Sequence, residues 1–415
     1  MKSRLLSSEI IAKNQSATGR IIVLTGARQT GKTTLARKVF PDYTYLSIED
    51  PVLRMQYAEL TAAQWSEYYP KSILDEVQKM PQLIESIKSV YDQYTEPRYL
   101  LLGSSQLLLM QKVKESLAGR CFIQEIFPLT LPELLTDSWS AQVKHSIFQE
   151  FISSKQLPDL YPSFSLDPDF AEKDYIFKYY LKNGGYPALV NKEFTDNDRF
   201  EWLKMYVKTY LERDIRDLAD FKSLQPFVKV QQITSLLTAQ QLNYTSLAKE
   251  AGISSNTAQR FIQYLDISYQ TISLQPWFKN NLKRLSKTPK LHYLDPGIQR
   301  AVIQKQGMLS GNEFESAIIA EMYKQMKNIR FQANLFHLCT HDGREIDFLI
   351  ETEDGYIPVE IKMTNKVNRT DARHLFSLDK LLDKPIIHSF VLSNDNTIKQ
   401  FSEKITALPA SLFLT

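Results

Sequence analysis

Apolar positions along the chain change their spacing from one region to the next, and each spacing predicts a different kind of element. Residues 20–25, RIIVLT, form a short β-branched run that ends at Gly26 and leads into TTLARKVF, whose apolar spacing suits a helix. Similar runs follow at Tyr43–Ile48, Ile73–Leu74 and Tyr99–Leu102, separated by segments long enough for crossover helices. A parallel α/β sheet is therefore expected over residues 1–150. From 151 to 225 the pattern turns helical: YIFKYYLKNGG stops at Gly184 and Gly185, and RFEWLKMYVKTYLERDIRDL is a long amphipathic segment. Residues 226–300 open with three short helical patterns. The last region, 301–415, starts with the helical NEFESAIIAEMYKQM and then alternates like strands from Phe331 to Met363, as expected of a separate α/β unit. The stretch Ser153–Pro168, with three prolines, is the candidate linker.

Length and composition narrow the class. A chain of 415 residues with 43% apolar and 23% charged positions has material for several cores, which excludes both a single small fold and global disorder. No window of 18 apolar residues is present, and Ser7, Ser8 and Glu9 interrupt the N-terminal stretch, so neither a membrane span nor a secretory signal is expected. Two cysteines 218 positions apart make no disulfide framework, in keeping with a reducing cytoplasmic setting. Net charge is +3 overall, yet residues 201–300 hold 14 basic against 8 acidic side chains, so that region alone is +6.

Gly26-Ala27-Arg28-Gln29-Thr30-Gly31-Lys32-Thr33 fits G-x-x-x-x-G-K-[ST] between a strand and a helix, where a phosphate-binding loop must lie. Backbone N–H groups from Gly26 to Thr34 would wrap the phosphates of ATP, Lys32 would reach the β- and γ-phosphates, and the Thr33 hydroxyl would ligate Mg²⁺. Asp75 and Glu76, at the end of the next apolar segment but one, would complete the metal shell and activate water. A Glu beside the metal Asp favours hydrolysis over transfer to an acceptor hydroxyl, as in a small-molecule kinase. Ser104, after the strand LLLG, can sense the γ-phosphate. Arg120 can neutralise transition-state charge in its own subunit or, in a homo-oligomer, a neighbour's.

Two further regions carry candidate chemistry. Tyr244 to Asn256 reads as helix, glycine turn at Gly252, and second helix, which would present Asn256, Gln259 and Arg260 to base edges of DNA, with Thr271–Leu274 as a wing. The following WFKNNLKRLSKTPK, with Lys283, Arg284 and Lys287, would contact phosphates. A packing module is the alternative. Near the C-terminus, Glu360 and Lys362 share one strand face, a turn at Asp354-Gly355 brings Asp347 alongside, and Glu315 approaches from a helix. Such a set can bind Mg²⁺ through oxygen and activate water for phosphodiester cleavage, with Lys362 stabilising the anionic transition state. In His337-Leu338-Cys339-Thr340-His341, alternate residues are poorly placed for tetrahedral closure, so a strand face is expected rather than a metal site.

The series GARQTGKTTLARKVFPDYTYLSIEDP, ILDEVQKMP, LLLGSSQLLL, SLAGRCFIQEIFPLTLPELL, NGGYPALV and TYLERDI resembles a widespread bacterial and archaeal family of AAA-type ATPases with a C-terminal restriction-endonuclease-like domain. The resemblance implies an α/β fold: a P-loop AAA-type ATPase core, a helical lid, a winged-helix segment and a nuclease-like α/β domain. It matches Gly26, Gly31, Lys32 and Thr33 to the phosphate loop, Asp75 and Glu76 to the acidic pair, Ser104 to the polar sensor and Arg120 to the family's characteristic arginine. The function it implies is ATP hydrolysis coupled to these modules, on or near DNA, with ATP and Mg²⁺ as cofactors. The alternative is a nucleotide-switched binding protein without nuclease action.

Overall fold

The computed structural model describes residues 1–103, 113, 115–160, 163–211, 215, 223–280, 284, 288–340 and 342–415. Ser104, Lys283, Lys287 and His341 lie outside the described residues. Five strands build the first sheet: β1 (Ile21–Thr25), β2 (Thr44–Ser47), β3 (Lys71–Asp75), β4 (Arg98–Gly103) and β5 (Cys121–Glu125). Their order is β2-β3-β4-β1-β5, with every neighbouring pair parallel. The apolar runs of the sequence correspond to β1 through β4. Strand β5 is an edge strand in which buried Phe122 and Gln124 alternate with half-exposed neighbours, so it has no continuous apolar run to betray it. Gly26 and Glu76 follow the carboxyl ends of β1 and β3, the end of a parallel sheet where ligands bind.

The second sheet has nine strands among the described residues: β6 (Gln240–Gln241), β7 (Thr271–Pro276), β8 (Lys290–Tyr293), β9 (Asn334–Cys339), β10 (Glu345–Glu351), β11 (Tyr356–Lys362), β12 (Ser389–Ser393), β13 (Lys399–Ser402) and β14 (Ile405–Pro409). Their order is β13-β14-β12-β11-β10-β9-β7-β8-β6. At one end, β6, β8 and β7 pair antiparallel beneath three helices, Gln225–Leu236, Tyr244–Ala251 and Ser255–Ile267, which is the helix and strand order read from the sequence. At the other end the sheet is mixed, with β11, β12 and β14 parallel. The end of β7 pairs with β9 through Gln275 and Phe336, and Pro276 and His337. The C-terminal region is therefore not a unit apart: it shares a sheet with the three-helix segment.

Among the described residues there are five apolar cores, and the largest joins several of these segments. The helix Gly311–Asn328 is buried on nearly every side although it carries Glu313, Glu315, Glu321 and Lys324, and each of these charges is paired inside the fold. Its Phe314, Ile318 and Met322 pack with Phe127 and Leu131 from beyond β5, Phe151 from helix Ile147–Ser154, Tyr180 from helix Phe170–Asn183, and Phe348 and Phe390 from the second sheet. At about 1.5–3 kcal/mol per fully buried large side chain, this core ties the segment that follows β5 firmly to the C-terminal module. The prolyl linker is anchored too: Ser163 bridges to Thr397, and the Phe164 N–H donates to Asn396 O at 2.7 Å. Among the described residues no helix is long and apolar enough to cross a membrane.

Candidate functional site

The loop after β1 owes its shape to close backbone contacts. Gly26 has φ +149°, and a Cβ there would lie 2.1 Å from the Ile126 carbonyl oxygen, so no side chain fits. Helix Lys32–Val39 starts directly after Gly31, so its free N–H groups face the loop. The Lys32 ammonium sits in the loop's mouth and donates to Gly26 O at 2.8 Å and Ala27 O at 2.7 Å. Across the sheet, the Thr33 hydroxyl donates to Asp75 Oδ2 at 2.7 Å. The two oxygen groups expected to hold Mg²⁺ are thus brought together, and hard oxygen donors suit that ion. Glu76 stands next to them in a left-handed conformation (φ 60°, ψ 40°), with Gln78 Nε2 donating to its carboxylate at 2.5 Å. Such a backbone costs a non-glycine residue of order 1 kcal/mol or more, and here it accompanies a carboxylate aimed into the cleft. The cleft has a volume of about 950 Å³, with Arg28, Gln29, Thr30, Gly31, Lys32, Thr33, Thr34 and Glu76 on one wall and Leu129, Pro187 and Val190 on the other. That is room enough for a nucleotide.

Three supporting residues escape sequence reasoning because their roles depend on distant partners. The Tyr45 hydroxyl donates to Asp75 Oδ2 at 2.8 Å, and burial beside that carboxylate pushes the phenol's pKa up. Buried Arg4 pairs with Glu133 Oε2 at 2.8 Å and donates to Thr30 O at 2.9 Å, bracing the loop from behind. Tyr206 donates to Arg28 O at 3.0 Å. One signal was legible: Thr130-x-x-Glu133 is a capping box, and it marks Glu133 as a structural carboxylate.

Arg120 lies elsewhere. It precedes β5, whose first residue Cys121 aligns with Ile21, whereas the phosphate loop leaves β1 after Thr25, opposite Glu125. The guanidinium is thus at the far end of the strands, about 15 Å away at some 3.3 Å per residue, and pairs with Asp92 at 2.8 Å. The expectation that Arg120 acts on its own chain's nucleotide is corrected by this placement.

In the three-helix segment, Gly252 closes the turn with φ +71° and the Ser254 side chain caps the second helix by accepting from Thr257 N. Ala258, Phe261, Ile262 and Leu265 face the core, which leaves Asn256, Gln259 and Arg260 exposed. Arg284 does not join them. Its side chain is 12% exposed, bonds to Glu351 Oε2 at 3.2 Å and Phe278 O at 2.5 Å, and stacks over the Trp277 and Phe336 rings. Its expected phosphate contact is overturned: the rings and Glu351 hold it inward.

The C-terminal carboxylates converge. β10 pairs with β11 through Phe348 and Val359, so one step further Asp347 stands opposite Glu360, and Asp347 Oδ2 accepts from Ile361 N at 2.7 Å. Lys362 Nζ lies 2.7 Å from Glu360 Oε2 and 3.5 Å from Asp347 Oδ2. A second ammonium, Lys290 from β8, lies 2.7 Å from Glu315 Oε1, 3.1 Å from Glu345 Oε1 and 3.7 Å from Asp347 Oδ1. Burial, and then the Asp347 carboxylate, push both Glu315 and Glu360 above the usual carboxylate range. Among the described residues no group of three or more His, Cys, Asp and Glu side chains is arranged to hold a metal ion. As folded, the expected Mg²⁺ set of Glu315, Asp347 and Glu360 does not fit an ion, since Lys290 stands among its oxygens. His337 is a buried ring whose nitrogens have no hydrogen-bond partner, and burial lowers its pKa to about 3.

Lys32, Thr33, Asp75 and Glu76 thus form a P-loop nucleotide site, and residues 18–135 match the family model of an AAA domain. The chain carries an AAA-type ATPase domain, and the match supports nucleotide binding and hydrolysis. Residues 174–308 and 310–413 match two domains of unknown function, DUF8612 and DUF4143. An uncharacterized protein of Mycobacterium tuberculosis is 24% identical over 412 residues, covering 95% of this chain and 81% of its own. Another, from Methanocaldococcus jannaschii, is 23% identical over 388 residues, covering 88% and 80%. Among solved structures, a Walker-type ATPase of Pyrococcus abyssi is 14% identical, with a TM-score of 0.44 over 71% of this chain and 94% of that one.

Proposed function

We propose that this protein hydrolyses ATP in the cleft of Lys32, Thr33, Asp75 and Glu76, and uses nucleotide state to move a DNA-contacting segment and the C-terminal module. The hydrogen bond from Thr33 to Asp75 at 2.7 Å carries this reading, because it sets two hard-oxygen groups beside the lysine that reaches the phosphates. Thr33 and Asp75 would hold Mg²⁺, which neutralises phosphate charge when bound. Lys32 binds the β- and γ-phosphates, and Glu76 orients a water and accepts its proton. With a carboxylate rather than an acceptor hydroxyl in that position, hydrolysis is favoured over a kinase reaction.

Coupling has a physical route. Tyr206, in the helical segment, donates to Arg28 O in the loop. Tyr269, at the end of the three-helix segment, lies 3.3 Å from both the Thr25 hydroxyl and Glu125. A loop that shifts when phosphate binds therefore pulls on both segments. Asn256, Gln259 and Arg260 supply the face for DNA. Any transition-state role of Arg120 belongs to a neighbouring subunit in a homo-oligomer. Measuring ATP turnover with and without duplex DNA tests this reading: stimulation or repression by DNA supports coupling, and no turnover in either case removes the ATPase assignment.

Lys290 among the Glu315 and Asp347 oxygens favours a second reading of the C-terminal module, as part of a nucleotide-switched binding protein without nuclease action. Nicking of supercoiled plasmid that is lost in Asp347→Asn would overturn this second reading.

A further inference from the structure

Tyr45 is exposed on the edge strand β2, yet its hydroxyl turns inward to the nucleotide site. β2 and β3 pair in parallel with Tyr45 opposite Ile73 and Ser47 opposite Asp75, so all four side chains lie on one face of the sheet. Helix Lys32–Val39 covers that face, and its Leu35 and Ala36 pack in one core with Ile73. Tyr45 starts two residues, about 6.6 Å, short of the level of Asp75, and a tyrosine is long enough to bridge that step with a hydroxyl at its tip. Arg37 of the same helix stacks over the phenol ring, its guanidinium carbon 4.9 Å from the ring centroid. Burial, and then the Asp75 carboxylate, push the phenol's pKa up, so the hydroxyl keeps the proton it donates. The buried Asp75 carboxylate is thus held by three donors: Glu76 N donates to Oδ1 at 3.0 Å, and the Thr33 and Tyr45 hydroxyls donate to Oδ2 at 2.7 and 2.8 Å.

We propose that Tyr45 is a positioning residue for the divalent metal of the nucleotide site: it fixes Asp75, which in turn orients Thr33, so that metal affinity depends on Tyr45 while nucleotide affinity does not. The proposal rests on the reading of this cleft as a magnesium-dependent ATP site. A hydroxyl serves a cation through its lone pairs, so its proton must be directed elsewhere. In Thr33 that proton goes to Asp75 Oδ2, and the direction of the threonine oxygen is therefore set by where Oδ2 stands. The backbone contact at Oδ1 by itself leaves the carboxylate free to turn about its Cβ–Cγ bond. A second donor on Oδ2, anchored on the neighbouring strand and stacked under Arg37, removes that freedom. Hydrogen-bonding partners of metal-site groups typically contribute about 10- to 100-fold in metal affinity. The phosphates, by contrast, are met by the loop N–H groups and Lys32, which do not act through Asp75.

The test is Mn²⁺ binding to the full chain saturated with ADP, read from the loss of the free-ion electron paramagnetic resonance signal, beside ADP binding measured by calorimetry in EDTA. Tyr45→Phe keeps the ring under Arg37 and removes the hydroxyl alone; thermal unfolding checks that the variant is folded. Its Mn²⁺ affinity is expected to fall about 10- to 100-fold, with ADP affinity in EDTA within about twofold of wild type. The Mg²⁺ concentration that gives half-maximal ATP turnover should rise by the same factor, while the rate at saturating Mg²⁺ stays close to that of wild type. A folded Tyr45→Phe that binds Mn²⁺ as tightly as wild type would overturn the proposal. An equal loss of ADP affinity in EDTA would overturn it too, by making Tyr45 a general support of the loop. Wild type that binds neither ADP nor Mn²⁺ sinks the reading of the cleft itself, and the proposal with it.

Discussion

At the scale of single residues, the nucleotide site divides its work between a cation and a carboxylate. Lys32 is buried, and its ammonium is satisfied by two carbonyls of the loop it closes. Lys32→Ala removes the main positive charge available to the β- and γ-phosphates, and tight ATP binding should be lost in calorimetry. Glu76→Gln keeps the loop, the lysine and the Thr33–Asp75 pair, so ATP should still bind while turnover drops about 10²- to 10⁴-fold, as expected when a positioned base is removed. Unchanged turnover would place water activation on another group. Asp266 offers a pH test. Burial raises its carboxyl from the ordinary 3.8 to about 6, and Thr271 Oγ1 donates to it at 2.5 Å. A raised carboxyl pKa means that the folded state prefers the proton. The associated stability is complete below about pH 4 and is lost as pH rises through 6. Wild type should therefore lose up to about 3 kcal/mol relative to Asp266→Asn between pH 4 and pH 7, measured by denaturant unfolding at each pH.

Elements decide which basic residues are available to a partner. Residues 277–290 read as one basic strip, yet the structure turns Arg284 and Lys290 inward to Glu351 and Glu315, because both lie against the second sheet, where buried carboxylates need compensation. Helix Ser255–Ile267, by contrast, is amphipathic with a regular period, and its outward positions follow from that period alone. Arg260→Ala should therefore weaken DNA binding and flatten its salt dependence by about one phosphate's worth. Arg284→Ala should leave the salt slope unchanged and instead lower stability by about 1.5–3 kcal/mol, because Glu351 loses one charged hydrogen-bond partner and keeps Lys384 at 3.2 Å. Equal salt slopes for Arg260→Ala and wild type would return this helix to a packing role.

At the scale of the whole molecule, helix Gly311–Asn328 is where the segment that follows β5, the helical segment and the C-terminal sheet share one core, while the strands of the ATPase sheet pack in two cores of their own. Inside it, Lys324 and Glu321 form a fully buried pair at 2.8 Å, and Glu321 Oε1 also accepts from the backbone N–H of Leu131. Lys324→Met should cost about 3–5 kcal/mol by leaving Glu321 charged and unpaired. Because Glu321 also binds Leu131 N, 190 positions away along the chain, the loss should appear as one cooperative transition at lower temperature in calorimetry. Separate melting of an intact ATPase unit would contradict a shared core.

The sequence by itself determined what depends on neighbours along the chain. The loop from Gly26 to Thr33, the strands that follow it, the Gly252 turn with its Ser254 cap, and the strand parity of Glu360 and Lys362 all follow from spacing, because backbone geometry imposes periods of 2 and 3.6 on any sequence. Tertiary structure decided the rest: that Tyr45 and Thr33 meet on Asp75, that Arg120 lies at the far end of the sheet, and that Lys290 enters the carboxylate cluster. Charged side chains carry no periodic signal of their partners. An ion pair between Lys290 and Glu315 exists only because strand pairing and a common core bring together residues that nothing in their local sequence relates.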